Sequence, residues 1–246
     1  MNTFRGWETS LSLMLAYDGL ARNHAQQLRN APKEPGTDEP HPRDVYRNLF
    51  ALLILNASIV EGTLRTILSE RVRVDRNAAV AAGDREGRKR HDGPTRLLEE
   101  FLISLEGAGS WAKLTSDSKS YLGEAMHHGL PIDLVQGIEN LFVLRNVLAH
   151  GTALIQPTTT MTDDMKGTYP FNWQSKLHGV GMYLEKQFKR GGVFENLAHP
   201  DVAEHFMGVT KLYLAEIQKK FDPLPDRAAA TIKLINGYAF GYANWG

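Results

Sequence analysis

The sequence predicts an all-α protein arranged as an up-and-down helical bundle. Three features carry that expectation. Apolar residues recur at helical spacing along most of the chain, and the prolines fall between the periodic stretches. Sequence rich in β-branched residues is confined to one region, Thr152 to Trp173.

The spacing predicts a first helix from Trp7 to Arg29, with Leu13, Tyr17, Leu20 and Leu28 on one stripe. It stops at the loop APKEPGTDEPHP, Ala31 to Pro42, whose prolines lack the amide a helix interior needs. A long helix is expected from Asp44 to about Val72. There Tyr46, Leu49, Leu53, Val60, Leu64 and Ile67 share a stripe, and Leu49 to Val60 is apolar almost all round, as in a central buried helix. Asp75 to Gly93 is charged and punctuated by Gly83, Gly87 and Gly93, which reads as a mobile connection.

Pro94 suits a first helical position, and Leu97, Leu98, Phe101, Leu102 and Leu105 follow in helical phase. A shorter helix is expected over Ser116 to Met126. Another runs from Ile132 to His150 after Pro131, closed by Gly151 as a left-handed cap. Beyond it, TALIQPTTTMT, the turn-like TDDMKG and the aromatic TYPFNW predict a small irregular or β-hairpin insertion. Helices are then expected from Ser175 to Phe188 and from Pro200 to Phe221, the second with Val202, Phe206, Val209, Tyr213 and Ile217 in phase. The tail from Asp222 shows little pattern beyond a short apolar segment near Ile232 to Phe240. With no internal repeat, all 246 residues read as one domain with its core over residues 44–221.

Composition narrows the functional classes. An apolar content of 42% is ample for a buried core. Formal net charge is zero, so binding to nucleic acid needs a local cluster of Arg and Lys, not a protein-wide field. The absence of cysteine excludes disulfides, thiolate metal sites and a Cys nucleophile. The N-terminal apolar run, Leu11 to Tyr17, lacks the cationic start and cleavage site of a signal peptide. Leu49 to Val60 is broken by Asn56 and Ser58 and is too short for a bilayer. A cytoplasmic protein without membrane contact is expected. There is no phosphate-cradling Gly loop, nucleophile elbow or dinucleotide fingerprint. His127 and His128 are adjacent and so diverge, while His178, His199 and His205 stand alone as packed or capping residues; neither a metal nor a cofactor is expected.

The stretch with chemical content is LRNVLAHG, Leu144 to Gly151, at the end of an apolar helix. On a helical wheel Leu134, Val135, Ile138, Leu141, Phe142, Leu148 and Ala149 share a face, and Arg145 falls near its middle. A guanidinium taken from water needs a partner, so Arg145 meets a carboxylate, a subunit interface or an anion-binding cleft. Glu139, Asn146 and His150 lie within about 40° of one another on the flanking face.

An Arg followed by a polar residue, then apolar residues and a His after a short gap, near the end of an apolar helix, resembles the signature of the HEPN superfamily (higher eukaryotes and prokaryotes nucleotide-binding domain). The resemblance rests on Arg145 to Gly151, supported by the long preceding helix with Ser58, Glu61 and Leu64. Bacterial toxin and phage-defence types are the nearest in size. The resemblance implies a helical bundle, a homodimer, and a composite ribonuclease site assembled from the Arg and His of two protomers. It also implies RNA as substrate, 2′,3′-cyclic phosphate ends, and a possible antitoxin partner.

The chemistry agrees with those residue types. Metal-independent RNA cleavage needs proton transfer, which suits a His titrating near neutrality, and a fixed cation at the phosphate, which suits Arg. His150 is assigned proton transfer, Arg145 the phosphate, and Asn146 the orientation of either; Glu61 and Glu139 are supporting candidates. Glu61 reads first as an ordinary i,i+4 partner of Arg65 and second as a group holding Arg145. A second Arg-to-His match, Arg85 to His91, falls in the charged segment and reads as a solvated loop. The rival reading is a non-catalytic HEPN-like scaffold that binds a nucleotide or a protein.

Overall fold

In a computed structural model of the chain, residues 9–87, 93–107, 110–150, 162, 164 and 171–242 are described. Nine α-helices occur among them: α1 (Thr9–Asn30), α2 (Pro42–Arg85), α3 (Gly93–Gly107), α4 (Trp111–Leu122), α5 (Ile132–His150), α6 (Phe171–Phe188), α7 (Val193–Leu197), α8 (Val202–Lys220) and α9 (Asp226–Gly237). The described residues contain no strand, so the protein is all-helical there. An isolated antiparallel bridge, Lys33 with Pro40, closes the loop before α2. The expected hairpin over residues 152–170 and the Gly151 cap lie outside the described residues.

Two compact units are present. The α5/α6 unit comprises Ser12–Ser58, Pro131–Tyr213 and the segment from Tyr238 onward; the α3/α4 unit comprises the start of α1, Ile59–Leu130 and Leu214–Gly237.

In the α5/α6 unit, Met14, Tyr17 and Ala21 of α1 are buried, as are Leu49, Leu52 and Leu53 of α2 and Val202, Phe206 and Met207 of α8. Burying a side chain of this size stabilises by roughly 1.5–3 kcal/mol. The polar exception is a register pin: buried Thr210 donates to Asn56 Oδ1 at 2.8 Å. Residues 238–242 form a strap. Phe240 is fully buried edge-on to Tyr17, with ring centroids 5.1 Å apart, and Lys211 Nζ donates to the Tyr238 carbonyl at 2.6 Å. Gly241 has φ +75°, a conformation L side chains rarely adopt, and a Cβ added there would lie 3.0 Å from Arg22 Cγ and 3.1 Å from Arg22 Cα, tighter than ordinary contact.

In the α3/α4 unit, α2 runs past the expected stop at Val72 to Arg85. Asp75 to Arg85 is therefore helix, not a connection, for two reasons. Ala78, Ala79, Ala81 and Ala82 are strong helix formers. The charges are also paired across the unit: Arg76 with Glu99 of α3 at 2.6 Å, Arg73 with Glu106 at 2.5 Å, and Tyr121 of α4 with Asp75. Of the second Arg-to-His match, Arg85 ends α2 and His91 lies outside the described residues.

The other boundaries differ in smaller ways. α4 starts at Trp111 because Ser110 caps it, accepting from the Lys113 amide at 3.1 Å, and Gly123 at φ +82° ends it. α6 begins at Phe171, so the aromatic end of the expected insertion is helical. α9 occupies part of the tail that lacked an evident pattern and buries Ala228, Ile232 and Ile235 at helical spacing. Prolonged to Arg85, α2 contains a stretch long and apolar enough to cross a membrane by length and composition, with 61% of that stretch buried inside the fold, as in a core helix.

Candidate functional site

α5 carries the Arg145 stretch. The Pro131 carbonyl accepts the Leu134 and Val135 amides at 3.1 and 3.2 Å, so the helix starts on a satisfied turn. Its position is set at Gly137. A Cβ there would lie 2.7 Å from Val209 Cγ1 of α8 and 2.9 Å from the Tyr183 hydroxyl of α6, so only glycine fits without a shift.

The burial pattern corrects the expected wheel. Val135, Ile138, Leu141 and Phe142 are buried, but near the C-terminus burial passes to Leu144 and Val147 while Ala149 is exposed. The packed side of α5 thus rotates away from Arg145 before the helix ends. Arg145 is half-buried at the edge of the packing face, not at its centre, which keeps its guanidinium within reach of solvent.

Arg145 Nη1 donates to Asn146 Oδ1 at 3.1 Å. These two predicted residues are brought together, both half-buried. His150 is the last residue of α5, and its side chain lies outside the described set. Glu139 is exposed; burial, then the Glu139 charge, holds the Tyr213 phenol above its ordinary range. Glu61 belongs to the α3/α4 unit, where its carboxylate pairs with Arg65 at 2.6 Å and the same guanidinium donates to the Leu105 carbonyl.

His127, His128, His178 and His205 have local partners or face solvent. His127 stacks on Trp111 with centroids 5.8 Å apart, and exposed His128 sits 3.7 Å from Glu124. His178 is exposed. His205 Nε2 lies 2.8 Å from the Tyr183 hydroxyl and packs against Phe188 and Phe206. Burial lowers the His205 imidazole, and burial followed by the Asp133 charge pushes Tyr183 up to about 12. Among the described residues no group of three or more His, Asp or Glu is placed to hold a metal ion.

Sequence reasoning missed Gly137, although a glycine inside an otherwise apolar helical pattern signals a close approach. It also missed the Tyr183–His205 pair, which only the packing of α6 on α8 creates. Comparison of the chain with known families, with curated proteins and with solved structures finds no match.

Proposed function

We propose that the protein is a metal-independent endoribonuclease of the HEPN type, an up-and-down bundle acting as a homodimer on RNA. A toxin or phage-defence role follows from the resemblance. The observation that carries the reading is the Arg145 guanidinium, half-buried and held 3.1 Å from Asn146, on the same helix that ends at His150. A cation fixed in this way costs little reorganisation when charge gathers on a phosphorane, and a partly desolvated setting strengthens its pull.

In this reading Arg145 binds the scissile phosphate and stabilises the negative charge that develops there. Asn146 restricts the guanidinium to a narrow set of orientations. His150 takes the 2′-hydroxyl proton, and the matching His of a second copy donates one to the leaving 5′-oxygen. Oxygen and phosphorus rearrange without a metal, leaving a 2′,3′-cyclic phosphate and a free 5′-hydroxyl.

The test is incubation of parent, Arg145→Ala and His150→Ala proteins with total RNA and transfer RNA in EDTA, reading fragment ends. Cleavage by the parent with cyclic phosphate ends, reduced at least about 100-fold in either variant, supports the assignment. Equal activity in all three overturns it. No cleavage by folded, dimeric parent shifts the reading to the nucleotide- or protein-binding scaffold.

A further inference from the structure

Residues 175–188 of α6 bury only Val180 and Leu184, so apolar packing holds this helix by a narrow stripe. Its polar attachment is Tyr183. The Tyr183 hydroxyl lies 2.8 Å from Nε2 of His205 on α8, and its ring centroid is 6.0 Å from that of Phe206 on the same helix. From the α5 side Gly137 leaves room for the hydroxyl, which would stand 2.9 Å from a Cβ placed there. Phe188, the last residue of α6, contacts two imidazoles, with ring centroids 5.4 Å from His205 and 4.8 Å from His199. Three helices thus meet at one hydroxyl.

The direction of the Tyr183–His205 bond follows from the two groups. Burial, and then the Asp133 charge, keeps the phenol protonated, so it donates; Nε2 accepts only as part of a neutral imidazole with its hydrogen on Nδ1. Protonation of His205 sets a hydrogen on Nε2 that faces the phenolic one. The phenol must then turn its hydrogen away, and a half-buried imidazolium stands against Phe188 and Phe206 with its solvation reduced. We propose that the Tyr183–His205 hydrogen bond is an acid-released lock that holds α6 against α5 and α8.

Each packed element brings its own charged or titratable groups to the pair. α5 supplies Asp133, which lies 3.4 Å from Lys186 Nζ of α6. The turn before α8 supplies His199, on the Phe188 ring, and Asp201, whose carbonyl accepts the His205 amide at 2.8 Å. Burial prevails at His205 and holds its imidazole below the ordinary range. An imidazole lowered in the folded chain contributes fully above the unfolded value of about 6.5 and loses that contribution as pH falls. The lock is therefore closed at pH 7.5 and opens in acid. Its release is local to α6 and stands whether or not the chain cleaves RNA.

The experiment is NMR of the full chain between pH 7.5 and pH 4.5. Nitrogen shifts of the His205 ring report its tautomer. Amide exchange of Gly181 to Gln187, corrected for intrinsic rates and taken relative to Leu52 and Leu53 of α2, separates opening of α6 from unfolding of the whole unit. The proteins are the parent, His205→Gln and Tyr183→Phe. Gln places an acceptor that does not titrate near the position of Nε2. The parent is expected to carry the Nδ1–H tautomer at pH 7.5 and to lose relative α6 protection by roughly fivefold on acidification, the shift one lost hydrogen bond produces. His205→Gln keeps its protection, and Tyr183→Phe is less protected already at pH 7.5 with no further response to acid. An Nε2–H tautomer, unchanged relative protection in the parent, or an equal acid loss in His205→Gln overturns the proposal. The tautomer and the exchange of the parent decide it alone if neither variant folds.

Discussion

The hydroxyls of Tyr17 and Tyr242 lie 2.8 Å apart across 225 residues of sequence, and Tyr17 also donates to the Ala203 carbonyl at 3.4 Å. Tyr17 is fully buried, and burial holds both phenols above their ordinary range. The strap carrying Tyr242 is thus part of the core of the α5/α6 unit. Phe240→Ala is expected to destabilise by about 3–5 kcal/mol and Tyr242→Phe by about 1 kcal/mol. Urea unfolding measures both; a Phe240→Ala midpoint equal to the parent's would show that the strap does not contribute.

Acid sensitivity of the whole fold has a separate source in His24. Its side chain is 1% exposed, neither ring nitrogen finds a hydrogen-bond partner among the described residues, and burial lowers it to about 4. The unfolded chain, with a pKa near 6.5, takes up the proton first, so stability is complete above about pH 6.5 and falls as pH drops towards 4. The loss is on the order of 3 kcal/mol. In His24→Leu this dependence should flatten between pH 6.5 and 4.5; an unchanged slope in denaturant titrations would place it elsewhere.

Gly137→Ala sets a helix-propensity gain of about 1 kcal/mol against overpacking on Val209 and Tyr183 that typically costs 1–3 kcal/mol. Net destabilisation of about 1 kcal/mol is expected, relieved in Gly137→Ala/Val209→Ala. Thermal melts of the single and double variants decide it, and a single variant more stable than the parent would mean that α5 is not held close at this point.

Asn196, fully buried, organises the turn into α7. Its Nδ2 donates to the Gly192 carbonyl at 2.6 Å, to Glu185 Oε2 at 3.2 Å and to the Arg190 carbonyl, while its Oδ1 accepts the Arg190 amide at 3.0 Å. Asn196→Asp removes the donors and opposes a carboxylate to Glu185, so a loss of about 1–3 kcal/mol at pH 7 is expected. Chemical denaturation tests this, and a neutral result would show that the contacts are not coupled to global stability.

If Arg145 acts on a phosphate through its forked guanidinium, Arg145→Lys retains the charge but loses the bidentate geometry. RNA cleavage should fall by about 100-fold while the melting temperature stays within a few degrees. Full activity in the Lys variant would reduce the role of Arg145 to that of a diffuse charge.

How much was legible in the sequence depended on where the determining contacts lie. α5 was readable end to end because Pro131 and a strong apolar period are local signals. The extension of α2 beyond Val72 was not, since Arg73, Asp75 and Arg76 are held by Glu106, Tyr121 and Glu99, partners separated by tens of residues. α7 owes its turn to Asn196, a residue with no helical preference of its own. Within the candidate site, the contact between Arg145 and Asn146 follows from adjacency. The rotation of burial onto Leu144 and Val147 depends on neighbouring helices that no wheel contains.

The α5/α6 unit draws on three separated lengths of chain, Ser12–Ser58, Pro131–Tyr213 and the segment from Tyr238. A ribosome releases these in order. At about 5–20 residues per second, roughly 10 to 40 s pass between residue 58 and residue 240. Through most of that interval α8, with Val202, Phe206 and Met207 buried in the same unit, is still to be made, and the nascent α1 and α2 present apolar faces to whatever holdase or neighbour is at hand.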